Sequence, residues 1–240
     1  LKTLFFIDLD DTIFQTKRKN SEGIYQATIS ENEDSYSYMT KAQKAFLEIF
    51  LNSNEVKIIP LTARDYNQYK KVELSKHNKI DSASVFFSGM IIDKGEIDLK
   101  WSNHIEESYK NLETSMEEMF ELMRRYTDES KFKLYMLDKY YPVIKNRDKN
   151  SSTYMKENTI LANQLKEIMT EEYFMHFNSN NISILPNFLN KINALNYFVE
   201  KYNPDLVLGA GDSITDLEFM NKCHFKMIPA NSQLDKFILS

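Results

Sequence analysis

The sequence predicts an α/β protein: a parallel-sheet core interrupted by an inserted α+β unit. Three observations carry this. Short apolar runs at Thr3–Ile7, Val56–Leu61 and Asp205–Leu208 read as strands buried on both faces, alternating with helical periodicity. The polar clusters Asp8/Asp10, Thr62 and Asp212/Asp216 stand directly after those runs, where a parallel sheet places its ligands. Between Ile105 and Leu185 the pattern changes to helices followed by paired strands. The expected core is 1–92 with 180–240, and the expected insert is 93–179.

Each element has a local reason. Thr40-Lys41-Ala42-Gln43 is a capping box, and Ala45, Phe46, Ile49 and Phe50 then recur at helical spacing. A helix is expected around Tyr66–His77, and a third strand at Ser84–Phe87, stopped by Ser88-Gly89. Residues 13–38 are polar and aromatic, with Ile24–Ile29 a hairpin arm. In the insert, Ile105, Tyr109, Leu112, Met116, Met119 and Met123 share one helical face, which reads as packing rather than binding. Lys131–Leu137 pairs with Tyr140–Ile144, and Tyr154–Met169 is amphipathic. Met175–Phe177 pairs with Ile182–Leu185 around a plain turn at Asn178–Asn181. The core resumes with helices at Lys191–Tyr202 and Thr215–Asn221 and a last strand at Phe225–Ile228.

Composition narrows the function. The 240 residues carry a net charge of -5, which gives no general attraction to nucleic acid or anionic lipid. A small anionic ligand would need local positive charge. The single cysteine, Cys223, excludes an intrachain disulfide and a thiolate zinc site, which fits a reducing cytoplasm. His104 and His176 have no partner at catalytic or zinc spacing. The opening apolar run is shorter than a signal-peptide core, Leu1 is not an initiator methionine, and no stretch is long enough to span a membrane.

Asp8 and Asp10 lie two residues apart at a strand end, and two ionised carboxylates so close repel. A divalent cation relieves that cost, and oxygen ligands suit Mg²⁺. Asp212, after another strand, would complete such a site, and Asp216, one helical turn on, would hold a metal-bound water. Taken singly, each of these acids also reads as a strand end or helix cap, Lys191 as a surface lysine, Thr62 as an N-cap, and Arg64 as half of a surface salt bridge.

Taken together they resemble a known family. Asp8-Leu9-Asp10-Asp11-Thr12 is similar to the first motif of the haloacid dehalogenase superfamily, D-x-D-x-T after a buried strand. Thr62 resembles the second motif, Lys191 the third, and Gly211-Asp212-Ser213-Ile214-Thr215-Asp216 the fourth, G-D-x-x-x-D. Their order and span match, and the long gap from Thr62 to Lys191 resembles that of Cof-like and sucrose-phosphatase-like members, which house a cap there. Phe87-Ser88-Gly89-Met90 is similar to their N-G-A stretch. Asp11 stands where many members have Gly, and Ile192 where Gly is usual.

The resemblance implies a Rossmann-like core with a cap and a cytoplasmic, Mg²⁺-dependent phosphatase acting on a small phosphorylated metabolite, such as a sugar phosphate. It implies Asp8 as the nucleophile forming an aspartyl-phosphate, and Asp10 as general acid and base. Thr62 and Lys191 would bind phosphoryl oxygens, and Arg64 would contact substrate. Asp8, Asp212, Asp216 and the backbone carbonyl of Asp10 would serve the metal. A phosphomutase on the same scaffold and a noncatalytic phosphate-binding protein remain as alternatives. A receiver domain also uses paired acids, Thr and Lys, but is about half this length.

Overall fold

The computed structural model describes residues 2–29, 37–148, 153–178 and 181–239. It divides into two compact units: unit 1, Leu1–Ser102 with Asn190–Ser240, and unit 2, Asn103–Leu189. The divisions therefore fall later in the chain than 92/93 and 179/180.

Unit 1 is built on a parallel sheet. Its strands are β1 (Thr3–Ile7), β5 (Val56–Pro60), β13 (Leu206–Ala210) and β14 (Phe225–Met227), in the order β14-β13-β1-β5. Strand β1 is central and wholly buried, which is why it is a continuous apolar run. Successive side chains serve opposite faces. Phe5 packs on Phe50 of helix α1 (Lys41–Leu51), ring centres 4.3 Å apart, and Phe6 meets Phe198 of α6 (Lys191–Tyr202) at 6.3 Å. Asp8, Leu61-Thr62 and Gly211-Asp212 all follow the carboxyl ends of these strands.

Two small antiparallel sheets flank this core. One joins β2 (Gln15–Thr16), β3 (Tyr25–Gln26) and β4 (Ser37–Met39); the other joins β6 (Ala83–Val85), β7 (Met90–Asp93) and β8 (Glu96–Ile97). The helix expected at 66–77 breaks. Helix α2 (Tyr66–Lys70) stops at Lys71, Val72 is extended, and a 3₁₀ turn follows at Glu73–Lys76. The cause is tertiary: Lys71 O accepts from Ile29 N, and Glu73 N donates to Ala27 O, so the flanking backbone pairs with residues 27–29.

Unit 2 carries an antiparallel sheet of β9 (Phe132–Leu137), β10 (Tyr141–Asn146), β11 (Tyr173–Asn178) and β12 (Asn181–Pro186), in the order β11-β12-β10-β9. Because β12 pairs with both β10 and β11, residues 181–186 belong to this unit. The turn expected at 178–181 rests on residues 179–180, outside the described residues. The apolar stripe from Ile105 to Met123 is two helices. Helix α3 (Leu99–Lys110) crosses the division at 102/103, and α4 (Met116–Tyr126) starts afresh at the capping box of Ser115 and Glu118. Helix α5 (Tyr154–Lys166) buries Leu161 and Leu165. Helices α7 (Ile214–Met220) and α8 (Gln233–Ile238) complete unit 1. No helix among the described residues is long and apolar enough to cross a membrane.

Candidate active site

Strand β1 delivers Asp8 at its carboxyl end, where its N–H donates to Ala210 O at 2.9 Å. The side chain is buried, and its two oxygens take different partners. One accepts from Lys191 Nζ at 2.6 Å and the other from Thr12 Oγ1 at 3.1 Å. Lys191 opens helix α6 and is itself buried, with Nζ also donating to Asp216 at 2.6 Å. The ammonium is thus shared by two carboxylates. Burial alone would lower its pKa, but the charges of Asp216 and Asp8 outweigh burial and hold it above the ordinary lysine value. Lys191 is therefore no surface lysine.

The fourth-motif loop joins β13 to α7. Asp216 is fully buried, and it accepts from Ser213 Oγ at 2.7 Å and from the backbone N–H groups of Ser213 and Asp212 at 3.1 and 3.3 Å. Gly211 permits this packing, since a Cβ there would lie 2.5 Å from Asp216 Cβ. Asp212 accepts from Thr12 Oγ1 at 3.2 Å. Asp8, Asp212 and Asp216 each place an oxygen within 4.8 Å of the others. The proton affinities record the crowding. Burial, opposed by Lys191 and reinforced by Asp216 and Asp212, keeps Asp8 well above the usual carboxylate range. Burial with the charges of Asp216 and Asp11 pushes Asp212 up to about 7. Such a group of hard oxygens, short of positive charge, could hold a divalent cation.

Asp10 stands apart from that trio. Its side chain is half exposed and gripped by Arg64, whose Nε and Nη2 donate to the two carboxylate oxygens, both at 2.7 Å. The guanidinium lies over the Phe14 ring, 5.2 Å from its centre. Burial works against that charge, but the hydrogen bonds and charge of Asp10 dominate and raise the Arg64 pKa. Arg64, expected to contact substrate, thus has a fork–fork partner within the protein. Thr62 is buried; its hydroxyl accepts from Arg64 N at 3.1 Å, and its N–H donates to Ser84 O at 2.9 Å.

Two features escaped the sequence reading of individual residues. Thr12 links Asp8 to Asp212 through one hydroxyl, although it closes the D-x-D-x-T pattern and was legible there. It also lines a cavity of about 450 Å³ with Gln15, Gln43, Phe46 and Met227, and its carbonyl accepts from Gln43 Nε2 at 3.3 Å. The second feature is a left-handed turn. Phe86, Phe87 and Ser88 have φ of 54°, 53° and 76°. The turn holds the second motif, since Phe87 N donates to Thr62 O and Phe86 N to Arg64 O. The Ser88 hydroxyl donates to Asn190 O, the carbonyl just before Lys191. Asp11, at a position where glycine is common, has φ of 63°, a conformation Asp tolerates better than most residues.

No protein-family model matches the chain, and no curated protein matches it by sequence. Solved structures do match. The C-terminal domain of a trehalose-6-phosphate phosphatase from C. albicans is 17% identical with a TM-score of 0.62, covering 92% of this chain and 73% of that one. The sucrose-phosphatase of Synechocystis sp. PCC6803, solved with sucrose and phosphate, is 14% identical with a TM-score of 0.60, covering 100% of this chain and 96% of that one. A sugar phosphatase of haloacid dehalogenase subclass IIB is 11% identical with a TM-score of 0.59, covering 100% of this chain and 92% of that one. The chain has the α/β fold of the haloacid dehalogenase superfamily phosphatases.

Proposed function

We propose that the chain is a Mg²⁺-dependent phosphohydrolase that moves a phosphoryl group from a small phosphorylated metabolite to Asp8 and then to water. The observation that carries this is the cluster of Asp8 after β1, Asp212 after β13, and Lys191 and Asp216 in the first turns of α6 and α7, all buried but the half-buried Asp212. A carboxylate approaching a phosphate dianion meets repulsion, so the site must supply positive charge before the reaction starts. Asp8, Asp212 and Asp216 would hold Mg²⁺ with the backbone carbonyl of Asp10, and the bound ion would offset the charge of the nucleophile and the transferred group.

The chain's own groups do the rest. Lys191 fixes the Asp8 carboxylate through one oxygen and would donate to phosphoryl oxygens as the bond forms. Thr62 offers a buried hydroxyl for the same oxygens. Asp10 donates a proton to the departing oxygen, then takes one from the attacking water. Arg64 sets the plane of the Asp10 carboxylate, and its remaining N–H donors would contact substrate. Unit 2 is the cap in this reading.

The structural relatives that act on phosphorylated disaccharides make sugar phosphates the first compounds to try. A panel of phosphorylated metabolites, assayed for phosphate release with and without Mg²⁺, tests the proposal. Release that depends on Mg²⁺ and is lost in Asp8→Asn is expected. Absence of release across the panel would count against it.

A further inference from the structure

The cavity of about 450 Å³ in unit 1 lies between segment 15–22, the first turn of α1, and the end of β14 with the residues after it. Its size is within the range of about 300–1,000 Å³ of small-molecule sites. Thr12, whose hydroxyl meets Asp8 and Asp212, forms part of the wall. The lining is of two kinds. Phe46, Met227, Ile228 and Pro229 are apolar; Gln15, Asn20, Glu22, Thr40 and Gln43 are polar. No Lys, Arg or His lines it among the described residues.

The protein holds these polar groups in place itself. Asn20 N donates to Thr16 O at 3.0 Å, and Asn20 Oδ1 accepts from Glu22 N at 3.0 Å, which fixes the turn carrying both residues. Gln43 is fully engaged: Nε2 donates to Thr12 O at 3.3 Å and Gln15 Oε1 at 3.0 Å, and Oε1 accepts from Thr40 N at 2.9 Å. Thr40 Oγ1 accepts from Gln43 N at 3.2 Å, which leaves its own hydrogen free, and Gln15 Nε2 donates to Asp11 O at 3.0 Å with one of its two hydrogens. Among the described residues, the unspent groups are the Asn20 N–H pair, the Thr40 hydroxyl hydrogen, one Gln15 N–H and the Glu22 carboxylate.

That set selects a ligand class. An anion would meet the Glu22 charge and no cation. A cation would satisfy Glu22 but leave the Asn20, Thr40 and Gln15 donors facing a group that accepts nothing. A hydroxyl both donates and accepts, so a compound with several hydroxyls answers both kinds of group, and its C–H surface suits Phe46 and Met227. We propose that this cavity binds an uncharged sugar or polyol ring, with hydroxyls on Glu22, Asn20 and Thr40. The ring has two sources. It is either the alcohol part of the compound processed at Asp8, which rests on the phosphohydrolase reading, or a free sugar, which does not.

The test uses the full chain and three variants outside the catalytic groups. Glu22→Gln removes the charge and keeps the shape. Asn20→Asp removes the donors and keeps the acceptor for Glu22 N. Ala42→Trp fills the cavity from an exposed position on α1. Glucose, sucrose and myo-inositol are titrated and followed by amide ¹H–¹⁵N correlation spectra. The amides of Asn20, Glu22, Thr40 and Gln43 should shift saturably with at least one of them. Affinity should fall about tenfold or more in Glu22→Gln and in Asn20→Asp, and binding should be lost in Ala42→Trp. No saturable shift with any of the three compounds, or equal titration in parent and Ala42→Trp, would overturn the proposal. So would saturable shifts of the same amides with methylammonium and not with the sugars.

Turnover separates the sources. If the ring belongs to the substrate, Ala42→Trp raises KM about tenfold or more for sugar phosphates and leaves an aryl phosphate unchanged. If it is a free sugar, KM for both esters is the same in parent and variant, while the spectra still report binding. Should every ester prove inert, the phosphohydrolase reading falls, and the spectra alone decide whether the sugar site exists.

Discussion

At the residue scale, one hydroxyl and one guanidinium manage the first-motif acids. Thr12 donates toward both Asp8 and Asp212, yet it has a single hydroxyl hydrogen. Thr12→Val keeps the shape and removes the donor, leaving two crowded carboxylates. Mg²⁺ should then bind with altered affinity and turnover should fall about tenfold or more, with Thr12→Ser restoring most of it; calorimetric titration of Mg²⁺ and initial rates check this. Arg64 holds Asp10 with a two-pronged contact that a lysine cannot reproduce. Arg64→Lys should slow alkyl phosphates by about 10²-fold and aryl phosphates much less, since a good leaving group needs little proton donation. Equal losses would mean that Arg64 acts on the phosphate and not through Asp10. The convergence of Asp8, Lys191, Asp212 and Asp216 was legible because each sits at a fixed offset from a buried strand or helix start. The Arg64–Asp10 pair was not, because a contact between residues 54 positions apart leaves no periodic trace.

At the scale of elements, short turns place the chemistry, and they are where sequence reading was weakest. The β13–α7 turn works only because Gly211 has no Cβ. Gly211→Ala should force Asp216 aside, cost about 1–3 kcal/mol and abolish most activity, as read by urea denaturation and phosphate release. An unchanged midpoint with full activity would contradict the packing described. The Phe86–Ser88 turn carries three successive non-glycine residues in the left-handed region, each costing of order 1 kcal/mol or more. Its role as clamp on Thr62 and Asn190 could not be read from Ser84–Phe87, which looks like a plain strand. The helix expected at 66–77 failed for a related reason, since backbone pairing with residues 27–29 outweighs helical propensity there. The break between α3 and α4 was written in the sequence as Ser115-x-x-Glu118, but a continuous apolar stripe from Ile105 to Met123 masked it. Ser115→Ala should cost about 1 kcal/mol by thermal unfolding, with little effect on activity.

For the whole molecule, crowding three carboxylates, two of them buried on one lysine, links folding, pH and metal. Asp8 and Asp212 have higher proton affinity folded than unfolded, with Asp212 moving from 3.8 to about 7. Raised acids bind extra protons in the folded state, so this contribution is fully present below about pH 4 and is lost as pH rises to about 7. Bound Mg²⁺ offsets the same charges. The gain in Tm from Mg²⁺ should therefore be larger at pH 8 than at pH 5. At a hundredfold excess over Kd it amounts to about 2.7 kcal/mol, or about 5–10 °C for a chain of this size. A gain that is equal at both pH values would contradict the linkage. The parallel core was legible throughout, because its strands are buried on both faces, whereas the unit boundaries were blurred: β7, β8 and β12 sit beside the division without a change in composition. The central claim is that Asp8 carries the phosphoryl group, and rapid-quench kinetics on Asp10→Asn with an aryl phosphate tests it most directly. With ³²P in the phosphoryl group, a burst of one leaving group per chain is expected, followed by very slow turnover, with the ³²P on the peptide containing Asp8. No burst, or substantial phosphate release by a folded Asp8→Asn variant, would contradict it.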